Sequence, residues 1–259
     1  MTEDASWPKD SSVFVNYLNG VATVTLNNPS RRNALTPMSA DQLVQIFEDL
    51  DSDRAVGAVI IRGAEGSFCS GADLQSLGAA MDDPAGEQSY DALERIYRAF
   101  TRFGELSMPT IAAIRGSVVG AGLNMALAAD VRIVATDARI ISGFAKLGLH
   151  PGGGHLQLLA GATNRQTATA MAIFSQEIDG RRARELGFAW EVLDDDLVEA
   201  RAQELGELAG ADPDLSRKTV QSLRTTTPSV VPWSTALQAE RAVQLWSLRR
   251  AAVRRASNS

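Results

Sequence analysis

The chain has 259 residues, 45% of them hydrophobic and 22% charged, with a formal net charge of −6. That composition sustains a large buried core and speaks against a globally basic surface for nucleic acid or anionic membranes. A single cysteine, Cys69, leaves no intrachain disulfide framework and suits a reducing compartment, so a cytoplasmic location is expected.

Residues 1–10 carry acids and no apolar core of a secretory signal, and no run of about 18 apolar residues follows, so no membrane span is expected. Apolar alternation over 12–17 and 21–26 flanks Asn19-Gly20, a strong hairpin pattern. Residues 28–33 form a polar turn. Leu43, Ile46, Phe47 and Leu50 then fall at helical spacing over 39–50. Residues 55–62 read as a buried strand and 63–71 as a glycine-punctuated loop. The rhythm repeats as strand 110–115, loop 116–120 and helix 121–129, with another strand at 131–135. Residues 79–89, rich in Asp, Gly, Ala and Pro, read as a mobile loop before a helix over 90–106. From 156 onward helices dominate, at 181–188, 197–209, 214–224 and 233–250, with a short strand at 189–193. The alternation predicts an α/β core with a helical C-terminal portion.

Two segments stand out: SFCSGADL over 67–74 and AIRGSVVGAGLN over 113–124. Each follows a predicted strand and precedes a predicted helix. A helix start exposes unpaired N–H groups at its positive end, and glycine lets the backbone approach a ligand. Two such starts facing each other would give one oxygen a pair of donors. Ordinary strand-to-helix turns have the same spacing, so the residues alone leave both readings open. Neither segment is a phosphate loop, for G-x-x-x-x-G-K-[S/T] is missing.

Together with three further blocks, these segments resemble the crotonase (enoyl-CoA hydratase/isomerase) family. The blocks are Asn27, Pro29, Arg32, Asn33, Ala34 and Leu35; KLGLHPGGG over 146–154; and IDGRRA over 178–183, continuing to Leu186-Gly187-Phe188. The resemblance spans about residues 12–210 in order. It implies a spiral of ββα units over residues 1–195 and a helical C-terminal trimerisation region over 196–259. It implies an acyl-CoA thioester as ligand or substrate, with no resident cofactor or metal, and assembly as a homotrimer or a dimer of trimers. The main-chain N–H groups of Ala72 and Ala121 would hold the thioester oxygen. Arg31, Arg32 and Ala34, with the backbone of Ala72, Asp73 and Leu74, would lie near coenzyme A. For the Asp73 and Asp130 side chains the expectation is structural: Asp73 capping the following helix and Asp130 anchoring a turn.

In family hydratases two glutamates activate water for addition to the enoyl double bond. The matching positions here are Asn124 and Phe144, and neither ionises. An acid–base group contributes about 10²–10⁴ in rate, so two-glutamate hydration is not expected. Two readings stay open: a lyase or isomerase of fatty acyl-CoA metabolism with different acid–base residues, or a non-catalytic acyl-CoA carrier or sensor. His150 is the first replacement candidate and His155 the second, since histidine titrates near neutrality. Asp82, Asp83, Glu87 and Asp91 read as solvated acids. Cys69 reads as inert packing rather than a nucleophile, and no G-x-S-x-G elbow supports a serine enzyme. Leu237, Arg241, Gln244, Leu245 and Leu248 place one stripe on the last helix for packing on the core or a neighbouring subunit. Arg249, Arg250, Arg254 and Arg255 read as a solvated tail.

Overall fold

Two residues set the first turn. Asn19 and Gly20 both take left-handed backbone, with φ of 51° and 76°, the geometry that matches the twist of flanking strands. They join β1 (Val13–Leu18) and β2 (Val21–Leu26), with Leu18 opposite Val21 in an antiparallel ladder. The structure is a computed structural model, and it describes residues 12–73, 83–84, 86–227 and 232–257.

Beyond the β1–β2 hairpin every pairing between the described strands is parallel. The remaining strands are β3 (Ala58–Gly63), β4 (Thr110–Ile114), β5 (Ser117–Val119), β6 (Val131–Ala135), β7 (Arg139–Ile141) and β8 (Glu191–Leu193). Six of the eight described strands form one sheet in the order β1-β2-β3-β4-β6-β8, while β5 and β7 pair separately. The chain thus visits the large sheet, crosses to the small one, and returns through a helix. Between β4 and β5 the turn falls at Gly116, with φ 56°; a Cβ there would stand 2.0 Å from the Gly66 carbonyl oxygen, so only glycine fits. The loop expected over 116–120 is therefore corrected, because Ser117–Val119 is strand. Three residues are too few for alternation to register.

Thr36 and Ser39 form a capping box at the start of α1 (Pro37–Ser52). Next comes α2 (Glu87–Gly104), so 87–89 belong to a helix and not to the loop expected there; the rest of that loop lies mostly outside the described residues. Phe47 of α1 meets Phe103 of α2 with ring centroids 5.2 Å apart. The other helices are α3 (Ala121–Ala128), α4 (His155–Ala162), α5 (Arg165–Ala172), α6 (Gly180–Glu185), α7 (Val198–Gly210), α8 (Pro213–Thr226) and α9 (Trp233–Ser257). Across β2, β3, β4 and β6 lies α7. Arg249, Arg250 and Arg254 ride on α9, which runs to Ser257, so the tail expected there is helical; the Arg255 side chain is outside the described set. No helix among the described residues is long and apolar enough to cross a membrane.

Asn33 ties the early turn to the core. Buried, with φ 56°, it donates from Nδ2 to the carbonyl oxygens of Ala64 (2.9 Å) and Ser67 (2.6 Å), and its Oδ1 accepts from the Asn28 N–H at 2.9 Å. Asn33→Ala orphans two carbonyls and strains a left-handed position. Urea unfolding should show a loss of about 2–4 kcal/mol.

Candidate active site

The start of α3 and the turn at 70–73 meet at one cavity. Its wall includes Gly71, Ala72, Gly120, Ala121, Asn124 and Ser142, closed by Phe144 and Tyr97. The volume is about 90 Å³, well below the few hundred Å³ of whole-ligand pockets. It suits the reacting end of a ligand rather than all of it. Neither the Ala72 nor the Ala121 N–H has a protein acceptor among the described residues. Ala121 is the first residue of α3, where an N–H has no intrahelical partner. The two turns are close: a Cβ on Gly71 would lie 3.6 Å from the Ala121 nitrogen.

The first turn is held by the segment the sequence grouped with it. Ser70 N–H donates to the Arg32 carbonyl (2.9 Å), Leu35 N–H to the Gly71 carbonyl (2.8 Å), and Asp73 N–H to the Leu35 carbonyl (2.8 Å). Arg31, Arg32 and Ala34 are thereby brought beside Ala72 and Asp73. Ala34 is buried, whereas Arg32 is exposed. The Arg31 Nη1 meets the Asp73 Oδ1 at 2.7 Å, so the Asp73 carboxylate serves this ion pair. The helix it was expected to cap, and Leu74, lie outside the described residues. Asp130 anchors a turn as expected, accepting the Thr110 N–H at 2.9 Å and its hydroxyl at 2.8 Å.

Below the cavity lies a chain of polar groups. Asn124 donates from Nδ2 to the Gly152 carbonyl at 2.9 Å. A carbonyl only accepts, so this bond orients the amide and turns Oδ1 to the His155 Nδ1, 2.7 Å away. Nδ1 therefore carries the hydrogen. The other ring nitrogen, Nε2, stands 2.8 Å from the Ser142 Oγ and accepts its proton. His155 is fully buried, and burial pushes its pKa down to about 3, so the ring is neutral. Phe144 packs edge-to-face with the imidazole, with centroids 4.9 Å apart.

His150 does not reach the cavity wall. Its Nδ1 lies 2.6 Å from the Pro151 carbonyl, and its N–H donates to the Ser247 Oγ at 2.8 Å. His155, the second candidate, is the histidine that bonds the cavity-lining Ser142 and Asn124. Its only sequence mark is its position between three glycines and the apolar run of α4. No carboxylate lines the cavity among the described residues. Asp83, Glu87 and Asp91 are exposed, and Asp82 lies outside the described set. Burial raises the Cys69 thiol to about 12, which makes it inert at neutral pH. Tyr97 donates to Gln244, and burial lifts its phenol far above the ordinary range.

The far wall comes from α9. Gln244 lines the cavity, Trp233 donates from Nε1 to the Gly153 carbonyl at 3.0 Å, and Arg241 pairs with Glu94 over the Tyr90 ring. Glu240 accepts the Leu156 N–H at 3.0 Å, at the start of α4. A wider surface cleft of about 1150 Å³ runs along α8. Its arginines are engaged, Arg217 with Asp51 and the Asp53 carbonyl, Arg224 with the Leu106 carbonyl. The smaller cavity is the one that gathers main-chain donors.

A spiral of ββα units that brings a glycine-bearing turn and a helix start to an apolar cavity is the crotonase architecture. Solved structures share it: an enoyl-CoA hydratase/isomerase from Xanthobacter autotrophicus superimposes with a TM-score of 0.81 at 29% identity, over 94% of this chain and 96% of that one. An enoyl-CoA hydratase from Mycobacterium avium gives 0.81 at 26%, over 94% and 98%. The family model for enoyl-CoA hydratase/isomerase matches residues 16–252, and the chain belongs to that family. It is 44% identical over 180 residues to a probable enoyl-CoA hydratase of Mycobacterium tuberculosis, 70% of this chain and 69% of the relative. It is 32% identical over 195 residues to the 1,2-epoxyphenylacetyl-CoA isomerase of Escherichia coli, 75% and 74% of the two chains.

Two titrations check the electrostatics. The ring signals of His155 in NMR should stay at neutral-imidazole positions from pH 8 to 5, because its charged form requires pH near 3. Burial raises the Glu240 carboxyl from its ordinary 4.5 to about 7. The folded protein then holds this proton more tightly than the unfolded chain, so the stability it contributes is full below about pH 4.5 and lost as pH rises through 7. Glu240→Gln, which stays neutral, should flatten that decline in urea midpoints measured between pH 5 and 8.

Proposed function

We propose that this chain binds an acyl-CoA thioester with its carbonyl oxygen between the N–H groups of Ala72 and Ala121, and stabilises the enolate that forms there. The observation that carries this reading is the pair of unpartnered main-chain donors on one small apolar cavity. Preorganised donors in a water-poor site act most strongly on charge that develops during reaction. Coenzyme A would extend outward past Arg31, Arg32, Ala34 and the backbone of Ala72, Asp73 and Leu74. Coenzyme A thioesters in the names of the relatives from Mycobacterium tuberculosis and Escherichia coli support that ligand class.

The reaction differs from two-glutamate hydration. Asn124 and Phe144 stand at the family's acid positions, and no described carboxylate faces the cavity. Asn124 is also committed, its oxygen to His155 and one amide hydrogen to Gly152. The reading is a lyase or isomerase of hydratase/isomerase type with other acid–base groups, working as a trimer or paired trimers. The second reading, an acyl-CoA carrier or sensor, is favoured by the same lack of a carboxylate.

Calorimetry with crotonyl-, butyryl- and palmitoyl-CoA tests binding. Ala121→Pro deletes one donor at a position where proline suits a helix, and should weaken thioester binding at least tenfold with the fold retained. Unchanged affinity and turnover in that variant would remove the assigned role. Hydration of crotonyl-CoA should run at least a hundredfold below a two-glutamate hydratase assayed alongside; parity would overturn the mechanistic reading.

A further inference from the structure

We propose that Ser142, His155 and Asn124 form a nucleophilic triad that cleaves the thioester, giving this chain an acyl-CoA hydrolase activity. The proposal rests on the carbonyl-binding reading above and adds to it the group that attacks the carbonyl carbon. Its geometry is continuous: Ser142 Oγ to His155 Nε2 is 2.8 Å, His155 Nδ1 to Asn124 Oδ1 is 2.7 Å, and Asn124 Nδ2 to the Gly152 carbonyl is 2.9 Å. A nucleophile, a base and a group that orients the base stand in that order. The Gly152 carbonyl sets the direction of every bond, so Nε2 presents its lone pair to the Ser142 hydroxyl. A general base needs that tautomer.

The serine also stands at the correct edge of the cavity. Gly120 N–H donates to the Ile141 carbonyl at 3.1 Å. Ser142 follows Ile141 and Ala121 follows Gly120, so nucleophile and donor extend from adjacent bonded residues. Ser142 sits past the end of β7, where Gly143 turns the chain with φ 82°. Ser142 and Asn124 line the cavity while His155 lies directly behind them, buried in the resting protein. Packing alone does not call for this set, because a buried polar network must be satisfied throughout to match apolar residues in the same place.

In the first half-reaction the Ser142 Oγ adds to the thioester carbon and its proton passes to the His155 Nε2. The carbonyl electron pair moves onto oxygen, between the Ala72 and Ala121 N–H groups. Collapse breaks the carbon–sulfur bond, and the sulfur leaves with the bonding pair and takes the proton from His155. Water then gives a proton to Nε2 and adds to the Ser142 ester. The carbon–Oγ bond breaks, Ser142 regains a proton, and the carboxylic acid departs. Acyl-CoA and water become acid and free coenzyme A. Asn124 fixes the tautomer without a negative charge to steady imidazolium, which suits a thiol leaving group, the easier kind to expel.

The test uses the full chain with acetyl-, butyryl- and hexanoyl-CoA, following free thiol and the intact protein mass after acid quench. Binding is measured separately with a butyryl-CoA ketone analogue in which a methylene replaces sulfur. The expected result is thiol release matched by acid, an acyl adduct mapped to Ser142, and at least a hundredfold loss of release in Ser142→Ala with analogue affinity within twofold. Wild-type protein that binds the analogue but releases no thiol above the protein-free rate and carries no adduct overturns the triad and leaves carbonyl binding standing. Failure to bind the analogue at all overturns the carbonyl reading, and the triad with it. Undiminished release in Ser142→Ala overturns the triad alone.

Discussion

Both nitrogens of the His155 ring must be satisfied inside the resting protein, because the ring is fully buried. That demand fixes much else. Asn124 has to present its oxygen, so its amide has to turn toward Gly152, and the glycine-rich turn at 152–154 has to pass beneath α3. Ser142 has to come from β7 at the level of the second nitrogen. A neutral imidazole so held couples α3, α4 and the end of β7 into one unit, and the wall that carries the Ala121 N–H belongs to it. An unpaired polar atom at such depth would cost about 1–3 kcal/mol, enough to make the arrangement all-or-none.

The large features were legible in the residues. Asn19-Gly20 between alternating runs gave the hairpin, and apolar spacing at Leu43, Ile46, Phe47 and Leu50 gave α1, because local sterics and burial act there within a few residues. The same holds for the turn that leads from β5 into α3 and carries Ala121, where glycine reports close backbone approach. What was not legible depends on contacts between distant segments. Nothing in the spacing of Asn124, Ser142 and His155 marks them as neighbours; three elements of a spiral bring them together. His150 stands inside the family block over 146–154 and His155 just after it, yet the His150 ring turns to its own backbone neighbour. The strands β5 and β7 escaped notice because three residues carry no period.

The last helix contributes more than a hydrophobic cover. Leu237, Leu248 and Ala251 bury apolar surface, while Glu240, Arg241, Gln244 and Ser247 on the same side each satisfy a specific partner. A purely apolar face could slide along the core. One studded with four hydrogen-bonding groups is held in a single register, which keeps Gln244 at the cavity. The cavity wall is thereby completed by residues more than a hundred positions from the turns that carry Ala72 and Ala121.

Cys69 closes the account in a practical way. It is the chain's sole sulfhydryl, wholly enclosed, and separated from Ala72 by two residues. Alkylating reagents added to native protein can therefore react only when that turn opens. Their rate of incorporation is a built-in clock for excursions of the segment that carries Ala72, with no label or engineered probe required.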